Sequence, residues 1–309
     1  MPSQNLITTI DGAEKVFQKP VSSSWKVPKN ALMVTPDFFD VEYAINPFMT
    51  DQNGKLKTVD KSVAHHQWKS LKEKYESLGI KVNVIPGQIG LPDMVFAANQ
   101  SLVFWHNDQP TALMSRMKAP QRREEVSFFD RWYHAQGYAV RNLETTSKSN
   151  EDEIFCEGNG DILLDHSMPL LWGGVGPRTN IKSYEEISTR FNLPIVLLPL
   201  KAKEFYHLDT CFSILSEDTV ALQESSFDEV SLKIIRKRFK NVVTIDRAEC
   251  LDFFAGNCHS PNGKDVILHK GTKIFKQDLQ KLNFNIHEVD TSEFMKSGGS
   301  VFCMKMMVF

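Results

Sequence analysis

An α/β fold is predicted by three observations. Apolar runs of strand length recur along the chain, and polar stretches with helical periodicity lie between several of them. The two kinds alternate in units of very roughly 50–60 residues. The strand-like runs cover residues 31–35, 81–85, 101–105, 111–115, 161–164, 194–198, 219–223, 241–245, 265–269 and 301–309. Among the helical stretches, residues 59–78 place Val63, Trp68, Leu71, Tyr75 and Leu78 on one face, and residues 121–136 carry Val126, Phe129, Trp132 and Tyr133. Residues 183–191 open on Ser183 three residues before Glu186, the spacing of a capping box. Residues 227–239 and 272–282 complete the set. The units share no convincing identity, so a repeat is only hinted at. The polar gap from Glu144 to Glu153 reads as a surface loop as readily as a boundary. One domain over residues 31–309 is expected, preceded by an extension (1–30) of unclear structure.

Composition narrows the function. The 309 residues are 41% hydrophobic and 24% charged, as in an ordinary globular protein, and the net charge is -2 with Lys and Arg spread evenly. That leaves no electrostatic footprint for nucleic acid or an anionic membrane, and the expected partner is a small molecule. Five cysteines form no CxxC pair, and residues 1–19 carry Asp11, Glu14 and Lys15 where a signal core would be apolar. No run approaches the ~18 apolar residues of a membrane span. A reducing cytosol with free thiols fits best.

Four segments carry candidate chemistry. Phe155-Cys156-Glu157-Gly158-Asn159-Gly160-Asp161 sets two carboxylates around a glycine-bearing turn, which allows close approach of backbone to ligand. Tyr206-His207-Leu208-Asp209-Thr210-Cys211 reads as the start of a strand, where His207 and Asp209 point the same way and form a possible acid/base pair. Ser297-Gly298-Gly299-Ser300-Val301-Phe302-Cys303 offers a flexible approach to a cysteine at the start of a terminal strand. Residues 91–99 place Asp93 and Asn99 at the two ends of an apolar, strand-like run. A plain turn, strand end or buried thiol would account for each segment alone. Together, a thiol, an imidazole and a carboxylate are the parts of a thiol hydrolase. The surplus of carboxylates (Glu157, Asp161, Asp209 and Asp93) suits a cation, and a planar guanidinium with five donors is best held by carboxylate oxygens.

In this order the motifs resemble the amidinotransferase/arginine deiminase (pentein) superfamily, from Met33 onward. The blocks that carry the resemblance are residues 39–49, 92–99, 157–161, 172–180, 207–210 and 298–304. The resemblance implies five ββαβ-type units around a pseudo-fivefold axis with the active site in a central channel. It implies Cys303 as nucleophile, His207 as proton shuttle and Glu157 as the group that orients His207 or holds a substrate nitrogen. Asp209 and Asn99 would grip the guanidinium, and Asp161 belongs to the same acidic set. Arg178 and Arg116 would bind the substrate α-carboxylate, with Asn46 and Asp93 as supporting contacts. An S-alkylthiouronium on Cys303 would form and be hydrolysed, with no metal and no organic cofactor; homo-oligomerisation stays open.

Two departures refine the expectation. Dimethylarginine hydrolases commonly have lysine where this chain has Asp209, which favours unmethylated arginine. Deiminases have aspartate where this chain has Asn99, whereas the arginine dihydrolase branch has asparagine there; a neutral amide holds a neutral ureido intermediate without an unpaired buried charge. The expected reaction is therefore arginine to ornithine, two ammonias and carbon dioxide. Arginine deimination, dimethylarginine hydrolysis, amidinotransfer and a non-catalytic binding role remain as alternatives.

Overall fold

The computed structural model describes residues 5–19, 25–144 and 153–309. Most of the polar stretch between Glu144 and Glu153, and the first four residues, lie outside the described residues. In chain order the elements are β1 (Leu6–Ile7), α1 (Ile10–Phe17), β2 (Asn30–Val34), α2 (Lys61–Ser77), β3 (Val82–Ile85), β4 (Ser101–His106), β5 (Gln109–Met114), α3 (Val126–Ala135) and β6 (Ala139–Asn142). There follow β7 (Ile162–Leu164), β8 (Leu171–Val175), α4 (Ile181–Phe191), β9 (Ile195–Pro199), β10 (Phe212–Ile214), β11 (Thr219–Leu222), α5 (Glu229–Arg238) and β12 (Asn241–Thr244). The last are α6 (Arg247–Phe253), β13 (Asp265–His269), α7 (Ile274–Lys281), β14 (Asn285–Val289), α8 (Ser292–Met295) and β15 (Met306–Val308).

The mixed α/β architecture repeats one connection. β4 and β5 pair antiparallel, α3 crosses, and β6 returns parallel to β5. The same order holds for β7, β8, α4 and β9, and again for β10, β11, α5 and β12. β13 and β14 pair in parallel across α7, with an antiparallel bridge from His259 to Ile267 in place of the first strand. The remaining sheet joins β15 antiparallel to β2, with β3 parallel to β2. Among the described residues before 31, β1 pairs with β9, and Ile7 and Ala13 are buried in the same core as Trp172 and Phe212.

Local sequence accounts for the helices. Asp60 caps α2 by accepting from Val63 N, and Ala64, Gln67, Leu71 and Tyr75 form its buried stripe at the 3–4 spacing one helix face requires. Val63 lies off that stripe and is 40% exposed, contrary to the face read from sequence. Residues 121–136 divide into a 3-10 turn, Pro120–Glu125, followed by α3, whose Phe129 and Tyr133 are buried. α4 starts two residues earlier than the capping box implied, because the cap is Asn180, whose side chain accepts from Ser183 N. Short strands such as β6, β8 and β14 lack alternation strong enough to mark them in the sequence.

Candidate active site

Before four of the five sheets, or at the corresponding bridge, the chain makes a short 3-10 turn: Pro92–Val95, Gly158–Gly160, Leu208–Thr210 and Ala255–Asn257. Before β15 the equivalent segment is a run of turn at residues 301–304. This corrects three readings of local structure. His207 and Asp209 flank and occupy a turn rather than sharing one strand face, since His207 is extended and caps Leu208–Thr210. Residues 92–95 are a 3-10 helix with Pro92 in its first turn, not a strand. Cys303 lies in a turn, and the strand begins only at Met306. Apolar turns of this length imitate buried strands because both are short uninterrupted hydrophobic runs. Likewise Trp172 belongs to β8, and only residues 176–179 turn to deliver Arg178.

The turns gather buried polar side chains. Cys303 Sγ donates to Asp209 Oδ2 (3.2 Å) and accepts from Asn257 Nδ2 (3.1 Å). Asn257 also accepts at Oδ1 from the backbone N–H groups of Ser300 (3.1 Å) and Cys303 (3.2 Å), which fixes the bend carrying the thiol. Burial, then the neighbouring Asp209 charge and its hydrogen bond, push the Cys303 thiol well above its ordinary range. Burial pushes Asp209 up to about 7. The unliganded pair therefore holds a thiol at neutral pH.

A second group surrounds Glu157. Its Oε2 lies 2.7 Å from His207 Nε2 and 3.0 Å from Arg178 Nη1, and its Oε1 accepts from Lys118 N (3.0 Å). Burial alone would raise Glu157, but the His207 hydrogen bond and the charges of Arg178, His207 and Arg122 outweigh it and hold it at about 2. A carboxylate so held can only accept, so His207 Nε2 carries the proton. Arg178 Nη2 donates to Ile45 O (2.7 Å), tying this group to the loop that holds Asn46. Asp161 braces the next turn: Oδ1 accepts from Leu208 N (3.0 Å) and Oδ2 from Thr179 Oγ1 (2.6 Å).

A third group involves Asn99. Arg122 is buried; it donates from Nη1 to Asn99 Oδ1 (2.9 Å) and from Nη2 to Asp93 O (3.1 Å), and pairs with Glu125 (2.9 Å). Because a guanidinium only donates, this contact sets the amide orientation and leaves Asn99 Nδ2 pointing away from Arg122, buried and without a partner among the described residues. The space for that amide exists because residue 160 is glycine; a Cβ there would lie 2.3 Å from Asn99 Nδ2. Asp93 Oδ1 accepts from Ser297 Oγ (2.7 Å), and Asn46 Nδ2 donates to Ser297 O (2.9 Å). Gly298 follows at φ +91, a conformation that seats its backbone beneath Asn46 and Tyr206.

One narrow cavity joins these groups. Asn46, Asp93, Asn99, Arg178, His207 and Cys303 all line it, with Arg122 in its wall. Glu157, Asp161 and Asp209 stand behind that lining and act through His207, the 207–210 turn and Cys303. Arg116 is half-buried and outside the lining; its backbone bridges Cys156. Asn257 and Arg122 were not singled out from the sequence. The repeat of Phe96-Ala97-Ala98-Asn99 as Phe254-Ala255-Gly256-Asn257 is the signal that marks Asn257. The other four cysteines are buried and unbridged. Among the described residues no cluster of His, Cys, Asp and Glu is placed to hold a metal ion, and no helix is long and apolar enough to cross a membrane.

A buried thiol beside a carboxylate, a carboxylate-bound imidazole and a set of cation acceptors define a hydrolase acting on guanidino carbon–nitrogen bonds, on a pentein fold. Residues 35–309 match the family N,N dimethylarginine dimethylhydrolase, eukaryotic, and the chain belongs to it. The chain is 34% identical over 284 residues to an uncharacterised protein of Caenorhabditis elegans, covering 91% of this chain and 94% of that protein. It is 32% identical to the N(G),N(G)-dimethylarginine dimethylaminohydrolase of Mycobacterium tuberculosis, covering 89% of this chain and 84% of that enzyme. It is 31% identical to the bifunctional arginine dihydrolase/ornithine cyclodeaminase AgrE of Nostoc sp., covering 90% of this chain but 37% of that protein. Among solved structures, the N-terminal domain of the cyanobacterial arginine dihydrolase ArgZ, bound to substrate, superposes with a TM-score of 0.81 at 30% identity. That match covers 90% of this chain and 97% of the domain.

Proposed function

We propose that this chain hydrolyses free L-arginine to ornithine, two ammonias and carbon dioxide, with Cys303 as nucleophile. In this reading the five sheets stand as blades around one axis, and the five turns meet at its centre. The arriving guanidinium brings a positive charge beside Cys303 and Asp209. Asp209 takes the thiol proton, and the thiolate adds to the guanidinium carbon. His207, oriented by Glu157, protonates the departing ammonia and then deprotonates the water that cleaves the S-alkylthiouronium. Arg178 meets the substrate α-carboxylate. A second passage with a second water converts the retained ureido intermediate to ornithine, ammonia and carbon dioxide.

The observation that carries the two-step reading is the unpartnered Nδ2 of Asn99. A guanidinium has no acceptor for it, whereas a ureido oxygen does. A donor that stays unsatisfied with the substrate and is satisfied by the first product retains that product for another round. The likeness to the arginine dihydrolases AgrE and ArgZ supports the same reading.

The test is product analysis after incubation with L-arginine, scoring ornithine, citrulline, urea and ammonia, with Cys303→Ala as control. Ornithine with two ammonias per turnover is expected, and none from the variant. Citrulline as the sole stoichiometric product would overturn the dihydrolase assignment. The family match favours a second reading, hydrolysis of N-methylated arginine, so asymmetric dimethylarginine is run in parallel.

A further inference from the structure

The turn at residues 301–304 separates two cavities that share no lining residue. Cys303 faces the one described above; Phe302 and Lys305 face the other, whose volume is about 630 Å³. That size is within the range of small-molecule sites. Its walls are mixed: Leu163, Ile214 and Phe302 form an apolar part, and Asn30, Asn159 and Asn262 belong to a polar one.

Lys305 is the anomaly in this wall. Its side chain is fully buried, and Nζ has no hydrogen-bond partner among the described residues. Nζ lies over the face of Phe302, 3.2 Å from the ring centroid. Burial lowers this amine to about 7 against the opposing pull of the Asp209 and Cys303 charges, and an aliphatic residue of similar length would fill the place without the desolvation cost. The histidines nearby do not compete for an anion. Burial and the Lys305 charge hold His259 well below its ordinary range, and burial holds His166 at about 4. Lys29, exposed in the lining, adds a second positive charge, and Glu217, also exposed, is the carboxylate in the lining.

We propose that this second cavity binds a small monocarboxylate with an apolar body, its head group on Lys305 and its tail against Leu163, Ile214 and Phe302. An anionic head would supply the buried amine with the hydrogen-bond partner and counter-charge it lacks at this face, and the apolar part of the wall calls for an aliphatic or aromatic tail. The site is separate from guanidine hydrolysis and stands whether or not that reading holds.

Calorimetric titration of hexanoate into the purified protein tests the assignment. One saturable site is expected. Lys305→Met should weaken it about tenfold or more, the loss that goes with a charge-assisted hydrogen bond. Ser216→Trp, which fills the cavity wall from a half-buried position, should weaken it similarly while leaving Lys305 in place. Without hexanoate, Lys305→Met should melt at a higher temperature than the parent, since it removes a buried amine that no hydrogen bond satisfies among the described residues. Absence of saturable binding, equal affinity in Lys305→Met, or a lower melting temperature for that variant would each overturn the proposal. So would slowed arginine turnover in Lys305→Met with hexanoate affinity unchanged, because the ammonium would then serve Asp209 instead.

Discussion

Glu157 and Asp209 occupy corresponding turns of neighbouring units, and both are fully buried, yet one is held at about 2 and the other at about 7. Burial opposes ionisation in both. The difference lies in their neighbours. Glu157 is saturated by His207, Arg178 and a backbone N–H. Asp209 has the Cys303 thiol on one oxygen and, among the described residues, no hydrogen-bond partner on the other. Lys305 and Arg122 act on Asp209 through their charge alone and do not offset its burial, whereas Glu157 has His207 and Arg178 in direct contact. Glu157 stands at the head of its turn and Asp209 inside the next, so two carboxylates in corresponding turns are held in opposite states.

Substitution at each position should break this pairing in opposite ways. Asp209→Asn is expected to lower kcat/KM for arginine about a thousandfold, ~4 kcal/mol, while leaving stability at neutral pH unchanged or improved. Steady-state kinetics beside urea unfolding shows whether the two effects separate. Glu157→Gln should cost about 3 kcal/mol of stability as well as activity, because Arg178 and His207 lose their shared carboxylate inside the protein. Urea unfolding of that variant measures the loss, and a variant as stable as the parent would show that Glu157 is not the support described.

Acidity probes the same contrast. Folded Asp209 keeps its proton up to about pH 7, but in the unfolded chain it releases it near 4. Its contribution to stability is therefore complete below about 4 and is lost as pH rises through 7. Glu157 is the reverse: its contribution is complete above about 4.5 and is lost as pH falls towards 2. Between pH 5 and pH 8 the stability of the parent relative to Asp209→Asn should fall by roughly 2 kcal/mol, discounting the shift for local relaxation. Denaturant midpoints at the two pH values give the answer. The smallest effect is expected at Asn99. In Asn99→Asp the new carboxylate would pair with Arg122, as Glu157 pairs with Arg178, and the free N–H donor would be lost. The ornithine-to-citrulline ratio in the product should fall about tenfold, the value of one hydrogen bond of ~1.4 kcal/mol.

The residues that gather at the cavity were more legible in the sequence than the local structure that presents them. Cys303, His207 and Glu157 stood out because each adjoins glycines or other polar groups that a packed strand has no use for. The Glu157 segment was read as a turn, but the turns at 92–95, 208–210 and 301–304 were read as strand, since apolar residues such as Val95, Phe96 and Leu208 mask their tight backbone. Arg122 was hidden for another reason: an arginine in a polar stretch normally marks a solvated surface, and only tertiary packing reveals that Glu125 and Asn99 enclose it. β1 was invisible because two residues carry no periodicity.

The thiol reaches its place through β15, which completes the sheet that β2 and β3 belong to, pairing Met307 with Ala31 across almost the whole sequence. Until those distant segments meet, Cys303 has neither Asp209 nor Asn257 beside it. Closing so long a loop is entropically slow, and local contacts do little to hasten it. Reactivity should thus be the last property the chain acquires: partly folded protein carries an ordinary cysteine, and recovery of turnover during refolding reports the pairing of β15 with β2 rather than the formation of the helices.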